Sequence, residues 1–231
     1  MATKKILIVE DEKDIADLLA YNLKKEGFEV VHSLSAEQAK LVVAQQTVDA
    51  VLLDIMLPGM NGLDFCKYLR NHPKMSQVYV IFISARSEEI DRILGLEMGA
   101  DDYISKPFSP REVIARLKAV FRRERSSITE VQAKHISAGD VSIDPEHHQA
   151  TIGKKELHLT KIEFDLLAAL AISPGRVFSR SKLLQEVWGY DYYGDDRIVD
   201  VHVRRLRIKL RQVTEKEYVQ TVHGVGYKFV V

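Results

Sequence analysis

The sequence has few of the residues that build cross-linked or membrane-embedded proteins. It contains one cysteine, Cys66, in 231 residues, which excludes an internal disulfide and a cysteine-based zinc site. No stretch approaches the roughly 18 consecutive apolar residues that a transmembrane helix needs. The formal net charge is zero, so the chain as a whole carries no electrostatic signal for a polyanion. We therefore expect a cytoplasmic protein that does not bind membranes.

The first half of the chain alternates short apolar runs with amphipathic helical patterns. Continuous apolar strands separated by helices are typical of a parallel sheet that is covered on both faces. We predict a five-stranded, doubly wound α/β domain over residues 1–123, with its last helix ending near Arg123. The five predicted strands are Ile6–Val9, Glu29–His32, Ala50–Leu53, Val78–Ile83 and Tyr103–Ile104.

The second half has a different pattern. A polar stretch over residues 124–133 suits a linker, and short strands, three helices and a terminal hairpin follow it over residues 134–231. This order predicts an α+β winged-helix domain. The strand-like pieces are Val141–Ile143, Ala150–Ile152 and Glu156–Leu159, the helices Lys161–Ala171, Ser181–Val187 and Arg197–Arg211, and the hairpin strands Tyr218–Thr221 and Tyr227–Val230.

Reactive side chains follow four strands of the first predicted sheet. Glu10 and Asp11 end the first strand, Asp54 the third, Ser84 the fourth and Lys106 follows the fifth. Ligands of open parallel sheets bind beyond these carboxyl ends. Each residue alone could have a purely structural role, since acidic residues at strand ends often cap the next helix. Their convergence favours a functional site.

Three carboxylates in one place are costly unless a cation neutralises them. Carboxylates with few other protein ligands suit Mg²⁺, and we predict that Glu10, Asp11, Asp54 and the backbone carbonyl of Met56 hold it. Asp54 is the predicted nucleophile, which forms an aspartyl phosphate. Lys106 would then offset the negative charge of the phosphoryl oxygens, and Ser84 would form a hydrogen bond to one of them.

The motifs around these residues resemble those of receiver domains. They are Val9-Glu10-Asp11, the run from Asp54 to Gly62, Ile83-Ser84-Ala85 and the run from Tyr103 to Phe108. The resemblance implies that Asp54 is the phosphoacceptor, that Ser84 and Tyr103 form a switch which moves inward on phosphorylation, and that Lys106 precedes a cis proline. A phosphohydrolase of the haloacid dehalogenase type would need an acid two residues after the nucleophile, where this chain has Met56. A regulator with a decayed site is disfavoured because every acidic and basic position is filled, and we do not expect an enzyme.

The last helical pattern, Arg197–Arg211, carries six positive residues and one negative residue, Asp200. One stripe is apolar and predicts the core contact. The opposite side combines positive charge with Val201 and Ile208, which could meet thymine methyl groups in a major groove. A merely solvated face is the alternative, but such faces usually mix both signs of charge.

The second half resembles the DNA-binding domain of the OmpR/PhoB family of response regulators. The resemblance implies a sensor histidine kinase, promoter DNA and a second copy of the chain as partners, with RNA polymerase as a further candidate. It also implies that His223 in the wing stands where the family often has arginine. The DNA-contacting residues that it implies are Trp188, Arg197, Asp200, Val201, Arg204, Arg205, Arg207, Thr221, His223 and Tyr227.

Charges of both signs crowd the segment from Arg92 to Arg123. In the OmpR/PhoB family the matching face pairs two receivers about a two-fold axis, so each ion pair occurs twice. We predict that Arg92 meets Glu112 and that Asp101 or Asp102 meets Arg116. The full predicted interface is Arg92, Glu97, Asp101, Asp102, Glu112, Arg116, Lys118 and Arg123.

Overall fold

The computed structural model describes residues 3–86, 88–129, 135–189, 192 and 195–231, without the side chains of 123–129. The chain divides into two compact units, Met1–Ile114 and Ala115–Val231. Among the described residues, no helix combines the length and the apolar character that crossing a membrane requires.

The first unit contains a five-stranded sheet in the order β2-β1-β3-β4-β5, and every pairing in it is parallel. Its central strands are buried along their whole length because helices cover both faces. The predicted doubly wound domain is confirmed. Its strands are β1 (Lys5–Val9), β2 (Glu29–Ser33), β3 (Ala50–Asp54), β4 (Tyr79–Ser84) and β5 (Asp102–Ser105).

Five helices connect and extend these strands. Ser35 and Asn61 cap two of them, since each side chain accepts a hydrogen bond from the backbone N–H three residues later. The last helix continues past Arg123 through six residues of the predicted linker. The helices are α1 (Lys13–Lys25), α2 (Ala36–Gln45), α3 (Gly62–Asn71), α4 (Glu89–Glu97) and α5 (Pro110–Thr129).

The second unit contains the predicted strand–helix–hairpin order of a winged helix. A four-stranded antiparallel sheet comes first, three helices follow, and a small sheet in the order β10-β12-β11 contains the terminal hairpin. The elements are β6 (Ile136–Ala138), β7 (Val141–Asp144), β8 (Gln149–Ile152), β9 (Lys155–Glu156), α6 (Lys161–Ala171), β10 (Val177–Ser179), α7 (Arg180–Trp188), α8 (Arg197–Arg211), β11 (Val219–Val222) and β12 (Gly226–Phe229).

Two strands of the second unit were absent from the sequence prediction, and a third is shorter than predicted. β6 and β10 have three residues each, which is too short to show an alternating pattern. β9 ends at Glu156, so Leu157 and Leu159 belong to the segment before α6 and bury their side chains there.

Candidate functional site

Asp54 is the last residue of β3 and is 4% exposed. The chain then turns sharply, and the N–H of Gly62 donates to the Ile55 carbonyl at 3.0 Å. A Cβ at position 62 would lie 2.0 Å from the Asp54 carbonyl oxygen. Only glycine therefore allows α3 to begin this close to Asp54.

Lys106 connects the strand ends as predicted. Its Nζ lies 2.6 Å from Asp54 Oδ2 and 2.9 Å from Glu10 Oε1, and its side chain is 13% exposed. Glu10 is buried, whereas Asp11 is exposed. Oxygen atoms of Glu10, Asp11 and Asp54 lie within 4.8 Å of one another, so the three carboxylates can hold one hard cation.

Burial and crowding alter the acidity of this cluster. The pKa of Glu10 rises from 4.5 to about 7 because its carboxyl is buried and faces Asp54, although Lys106 opposes the rise. Burial alone would lower the pKa of Lys106, but hydrogen bonds to Asp54 and Glu10 outweigh it and raise the pKa. Lys106 therefore stays charged, and the remaining negative charge of the carboxylates is unfavourable unless a cation neutralises it.

The predicted switch residues lie beside this cluster. Ser84 is fully buried at the end of β4, and its hydroxyl accepts a hydrogen bond from the Arg86 N–H at 3.3 Å. Tyr103 is 4% exposed, and its hydroxyl donates to the Arg86 carbonyl. Gly95 on α4 allows this position, since a Cβ there would lie 3.2 Å from the rings of Phe82 and Tyr103. The Tyr103 side chain therefore has the inward, buried position in this structure. Lys106-Pro107 is a cis peptide, as the resemblance implied.

Helix α8 exposes one row of residues to solvent. Arg197, Arg204, Ile208 and Arg211 are exposed, and Asp200 is partly exposed between the first two. Their spacing of three or four residues places them on a single face. This face carries the positive charge that the sequence predicted, and the solvated-face alternative is weakened by Ile208, which is 46% exposed among the arginines.

Two residues predicted for this face lie in the interior instead. Val201 is 7% exposed, and Arg205 is 8% exposed. Arg205 pairs with the fully buried Glu163 of α6 at 2.9 Å, and Lys209 pairs with the same carboxylate at 2.6 Å. The predicted exposure of Val201 and Arg205 is wrong because α8 packs against α6 on this side.

Glu163 also belongs to the N-terminal cap of α6. Its side chain accepts a hydrogen bond from the Thr160 N–H at 2.8 Å, and Thr160 caps the helix in return. Burial would raise the pKa of Glu163, but Arg205, Lys209 and this hydrogen bond lower it from 4.5 to about 2. The carboxylate therefore joins the start of α6 to α8.

The wing is attached to α8 by two hydrogen bonds from Arg207. Its Nε donates to the Val219 carbonyl at 2.9 Å, and its Nη2 donates to the Thr221 hydroxyl at 2.8 Å. Thr221 and His223 are exposed on the hairpin. Arg207 therefore fixes the position of the wing.

Two of the predicted DNA contacts have buried side chains. Trp188 is 1% exposed and packs against His202, with 5.2 Å between the ring centroids. Tyr227 is 5% exposed, and its hydroxyl donates to Asp200 at 2.6 Å. Both side chains belong to the core of the winged helix, and packing accounts for their positions.

Comparison with known proteins matches both halves of the chain. Residues 6–118 match the family described as response regulator receiver domain, and residues 154–229 match that described as transcriptional regulatory protein, C terminal. The chain is 44% identical over 232 residues to the alkaline phosphatase synthesis transcriptional regulatory protein PhoP of Bacillus subtilis, covering 97% of this chain and 96% of that protein. It is 45% identical over 223 residues to the phosphate regulon transcriptional regulatory protein PhoB of Rhizobium meliloti, covering 96% and 97%. Among solved structures, the response regulator DrrB of Thermotoga maritima, described as an OmpR/PhoB homolog, matches at 30% identity over 100% of both chains with a TM-score of 0.52.

The chain belongs to the OmpR/PhoB family. It is a transcriptional response regulator of a two-component system, with a receiver domain and a DNA-binding domain. Receiver domains bind Mg²⁺ at their acidic pocket, and this OmpR/PhoB protein has the corresponding carboxylates in Glu10, Asp11 and Asp54.

The predicted dimer face of this OmpR/PhoB protein needs correction. Asp101 and Asp102 are fully buried. Asp101 accepts hydrogen bonds from Arg70 at 2.6 Å and from the Val80 N–H at 2.9 Å, while Asp102 accepts one from the Tyr103 N–H. The surface position predicted for both aspartates is therefore wrong.

Arg116 is also largely buried, at 9% exposure, and its guanidinium lies 4.7 Å from the Tyr192 ring centroid within the second unit. Its predicted pairing with Asp101 or Asp102 is not available from these positions. Arg92, Glu97 and Glu112 are partly exposed and Lys118 is exposed. The side chain of Arg123 lies outside the described residues.

Sequence reasoning missed two residues that organise the DNA-binding domain of this OmpR/PhoB protein. Arg180 begins α7 and donates from Nε to Asp200 at 2.7 Å. Glu163 of α6 pairs with both Arg205 and Lys209 of α8. The capping pattern Thr160-x-x-Glu163 was a signal for its local role, but neither long-range partner has a signature in the sequence.

Proposed function

We propose that this regulator is switched by transfer of a phosphoryl group from a histidine kinase to Asp54, in a receiver that spans residues 1–123. The observation that carries this proposal is the contact of the Lys106 ammonium with both Asp54 and Glu10, at 2.6 and 2.9 Å. This ammonium joins two carboxylates that are buried at the ends of different strands, and the exposed Asp11 lies beside them. Such an arrangement suits a group that gains negative charge during a reaction.

Each residue of this cluster has a separate role in the proposed phosphoryl transfer. A carboxylate oxygen of Asp54 forms the new P–O bond while the donor's bond to phosphorus breaks, and Asp54 Oδ1 is oriented by the Met56 N–H at 2.8 Å. Lys106 stays charged and neutralises one phosphoryl oxygen, and the Ser84 hydroxyl is placed to hydrogen-bond another. Glu10, Asp11, Asp54 and the Met56 carbonyl would hold Mg²⁺, which would supply positive charge next to the phosphoryl oxygens.

Reaction of the full-length protein with acetyl phosphate tests this proposal. In Mg²⁺ we expect a mass gain of one phosphoryl group, with an acyl-phosphate linkage that hydroxylamine cleaves. Removal of Mg²⁺ with a chelator should abolish the gain because the carboxylates then repel the incoming anion. Intact-protein mass spectrometry measures the yield. A gain of equal size without Mg²⁺ would contradict the proposed metal role.

For DNA binding, we propose that α8 of the domain over residues 134–231 enters the major groove. Support comes from the exposed row on α8, where Arg197 and Arg204 lie about two turns apart on one face and Arg can pair with guanine edges or phosphates. Thr221 and His223 on the wing would approach the neighbouring backbone. Val201, Arg205, Trp188 and Tyr227 would support this surface from beneath rather than read bases.

We expect Arg204→Ala to weaken binding to operator DNA by about 1–3 kcal/mol, or roughly 5- to 150-fold in Kd. The unfolding midpoint should change little because Arg204 is exposed. Fluorescence anisotropy with an operator obtained by selection from random DNA measures the affinity. Lys154→Ala, an exposed charge in the β8–β9 turn, serves as the control, and equal affinities of the two variants would contradict the proposed groove contact.

We also propose that phosphorylated receivers pair through α4, β5 and α5. Ile90 and Leu94 on α4 are 75% and 42% exposed, and the two residues of the predicted ion pair, Arg92 and Glu112, are partly exposed. Sedimentation velocity with a beryllofluoride mimic should show dimers that the charge reversal Arg92→Glu weakens. A monomeric activated protein at tens of micromolar would contradict this pairing.

Contact with RNA polymerase, a cytoplasmic location and the lack of enzymatic turnover stay predictions of the same proposal.

A further inference from the structure

Three residues from three elements meet beside the exposed row of α8. Asp200 lies on α8, Arg180 begins α7 and Tyr227 lies on β12. A single carboxylate oxygen, Asp200 Oδ1, accepts from Arg180 Nε at 2.7 Å and from the Tyr227 hydroxyl at 2.6 Å. The Arg180 guanidinium also lies 5.3 Å from the centroid of the Tyr227 ring. We call this set the Asp200 triad.

The Asp200 triad lies at the DNA-facing side of the domain. Asp200 is three residues after Arg197 and four before Arg204, so it shares their face of the helix. Arg180 contacts Asp200 directly and therefore borders the same face. The side chains of Arg180 and Asp200 are 28% and 39% exposed, so solvent, and a ligand of that face, can reach both.

The geometry uses Asp200 as an acceptor for protein groups. A base-reading aspartate would offer its carboxylate to the amino group of cytosine, whereas Asp200 Oδ1 accepts from two protein donors on separate elements. Burial and Asp200 together raise the pKa of the Tyr227 hydroxyl to about 12, so this group stays protonated as a donor to Asp200. Asp200 therefore holds its neighbours in place.

The guanidinium of Arg180 is left in a fixed orientation. Its Nε is the atom that bonds Asp200, so the two terminal amino groups are not needed for that bond. The centroid of the Tyr227 ring lies 5.3 Å from the guanidinium carbon, which is within the range of a cation–π contact. A pre-oriented guanidinium loses little conformational entropy when it meets an anion.

We propose that Arg180 is an additional contact to a DNA phosphate, and that Asp200 and Tyr227 are positioning residues that hold Arg180 for this contact. The proposal rests on the proposed binding of DNA by α8. It replaces the base-facing role that the sequence implied for Asp200. Phosphate contacts position a protein on the duplex without reading its sequence, so the Asp200 triad should contribute affinity and leave base preference unchanged.

The experiment measures how affinity depends on salt. The full-length protein is titrated by anisotropy against a pool of random 24-base-pair duplexes at several salt concentrations, as wild type, Arg180→Gln, Arg180→Lys, Asp200→Asn and Tyr227→Phe. Arg180→Gln should weaken binding several-fold at low salt and reduce the slope of log affinity against log salt by about 1. Arg180→Lys should restore the slope but only part of the affinity.

Asp200→Asn and Tyr227→Phe should weaken binding by less than Arg180→Gln, and each should have almost no further effect in the Arg180→Gln background, because positioning matters only while the guanidinium is present. Selection and sequencing with Asp200→Asn should return the wild-type base preference. The Trp188 fluorescence of each variant checks that the domain is folded.

Each outcome has a distinct meaning. An unchanged salt slope in folded Arg180→Gln overturns the phosphate contact, and a changed base preference in Asp200→Asn overturns the positioning role. If Arg204→Ala also leaves binding to selected operator DNA unchanged, the groove contact of α8 fails as well. If Arg204→Ala weakens that binding and Arg180→Gln leaves the slope unaltered, only the inference about Arg180 is lost.

Discussion

An Asp54→Asn protein is expected to gain no phosphoryl group from acetyl phosphate in the presence of Mg²⁺. The amide nitrogen of asparagine is not a nucleophile at phosphorus, and the substitution also removes a carboxylate from the predicted metal site. The effect should be complete rather than partial. Intact-protein mass spectrometry, followed by hydroxylamine cleavage of any acyl phosphate, measures the result.

The variant should remain folded, which makes the result interpretable. Removing the Asp54 charge relieves repulsion with Glu10, and Lys106 keeps Glu10 as a partner at 2.9 Å. Asp64→Asn is the matched control, since Asp64 is an exposed carboxylate in the first turn of α3 and lies outside the carboxylate cluster. Phosphorylation of Asp54→Asn at the wild-type rate would falsify the assignment of the acceptor.

The second large effect is expected in the DNA-binding domain, where Glu163→Gln should lower the free energy of unfolding by about 3 kcal/mol at pH 7. The glutamine can still accept the hydrogen bond from the Thr160 N–H. It cannot neutralise Arg205, whose side chain is 9% exposed and therefore has little water to replace the lost partner. Lys209 is 30% exposed and can turn towards solvent.

The same carboxylate gives this prediction a pH dependence. The pKa of Glu163 is lowered on folding from 4.5 to about 2, so the folded state binds its proton less tightly than the unfolded state does. The stabilisation is fully present above pH 4.5 and is lost as the pH falls towards 2. The difference between wild type and Glu163→Gln should therefore be constant near neutral pH and shrink below pH 4.5.

Urea unfolding followed by tryptophan fluorescence isolates this domain because Trp188 is the single tryptophan of the chain and is 1% exposed. Glu186→Gln is the control, since its pair with Lys182 is a partly exposed one on α7 that should contribute at most about 0.5 kcal/mol. Adding Arg205→Met to Glu163→Gln should recover part of the loss, because an apolar side chain of similar length carries no charge that must be compensated in the interior. Equal midpoints for Glu163→Gln and Glu186→Gln would show that the buried contact does not stabilise the domain.

The carboxylate cluster of Glu10, Asp11 and Asp54 could be predicted because its geometry follows from local patterns. Each apolar run predicts a buried strand, and successive parallel strands end at one edge of the sheet. Residues at those ends must then meet, whatever the details of packing. For this reason Glu10 and Asp54, which are separated by 44 positions in the printed sequence, could be placed together with Lys106 before any coordinates were known.

The exposed face of α8 could be predicted only in part. A helical wheel assigns one direction to the core, but α8 packs against both α6 and α7. Val201 and Arg205 therefore lie inside, although the wheel placed Val201 opposite the apolar stripe and Arg205 at the flank of that side. The same limit applies to Asp101, since no pattern in β5 indicates that Arg70 will reach it from α3.

The sequence by itself determined the two domain types, the order of most elements and the composition of the carboxylate cluster, since all of these depend on periodicity and on the ends of strands. The tertiary structure alone decided which charges lie on the surface and which are paired inside. Glu163 with Arg205, Asp101 with Arg70 and Asp200 with Arg180 each join separate elements. Such pairs form because a charge that leaves water needs a partner close by, and the identity of that partner depends on how helices and strands pack rather than on the residues next to it in the chain.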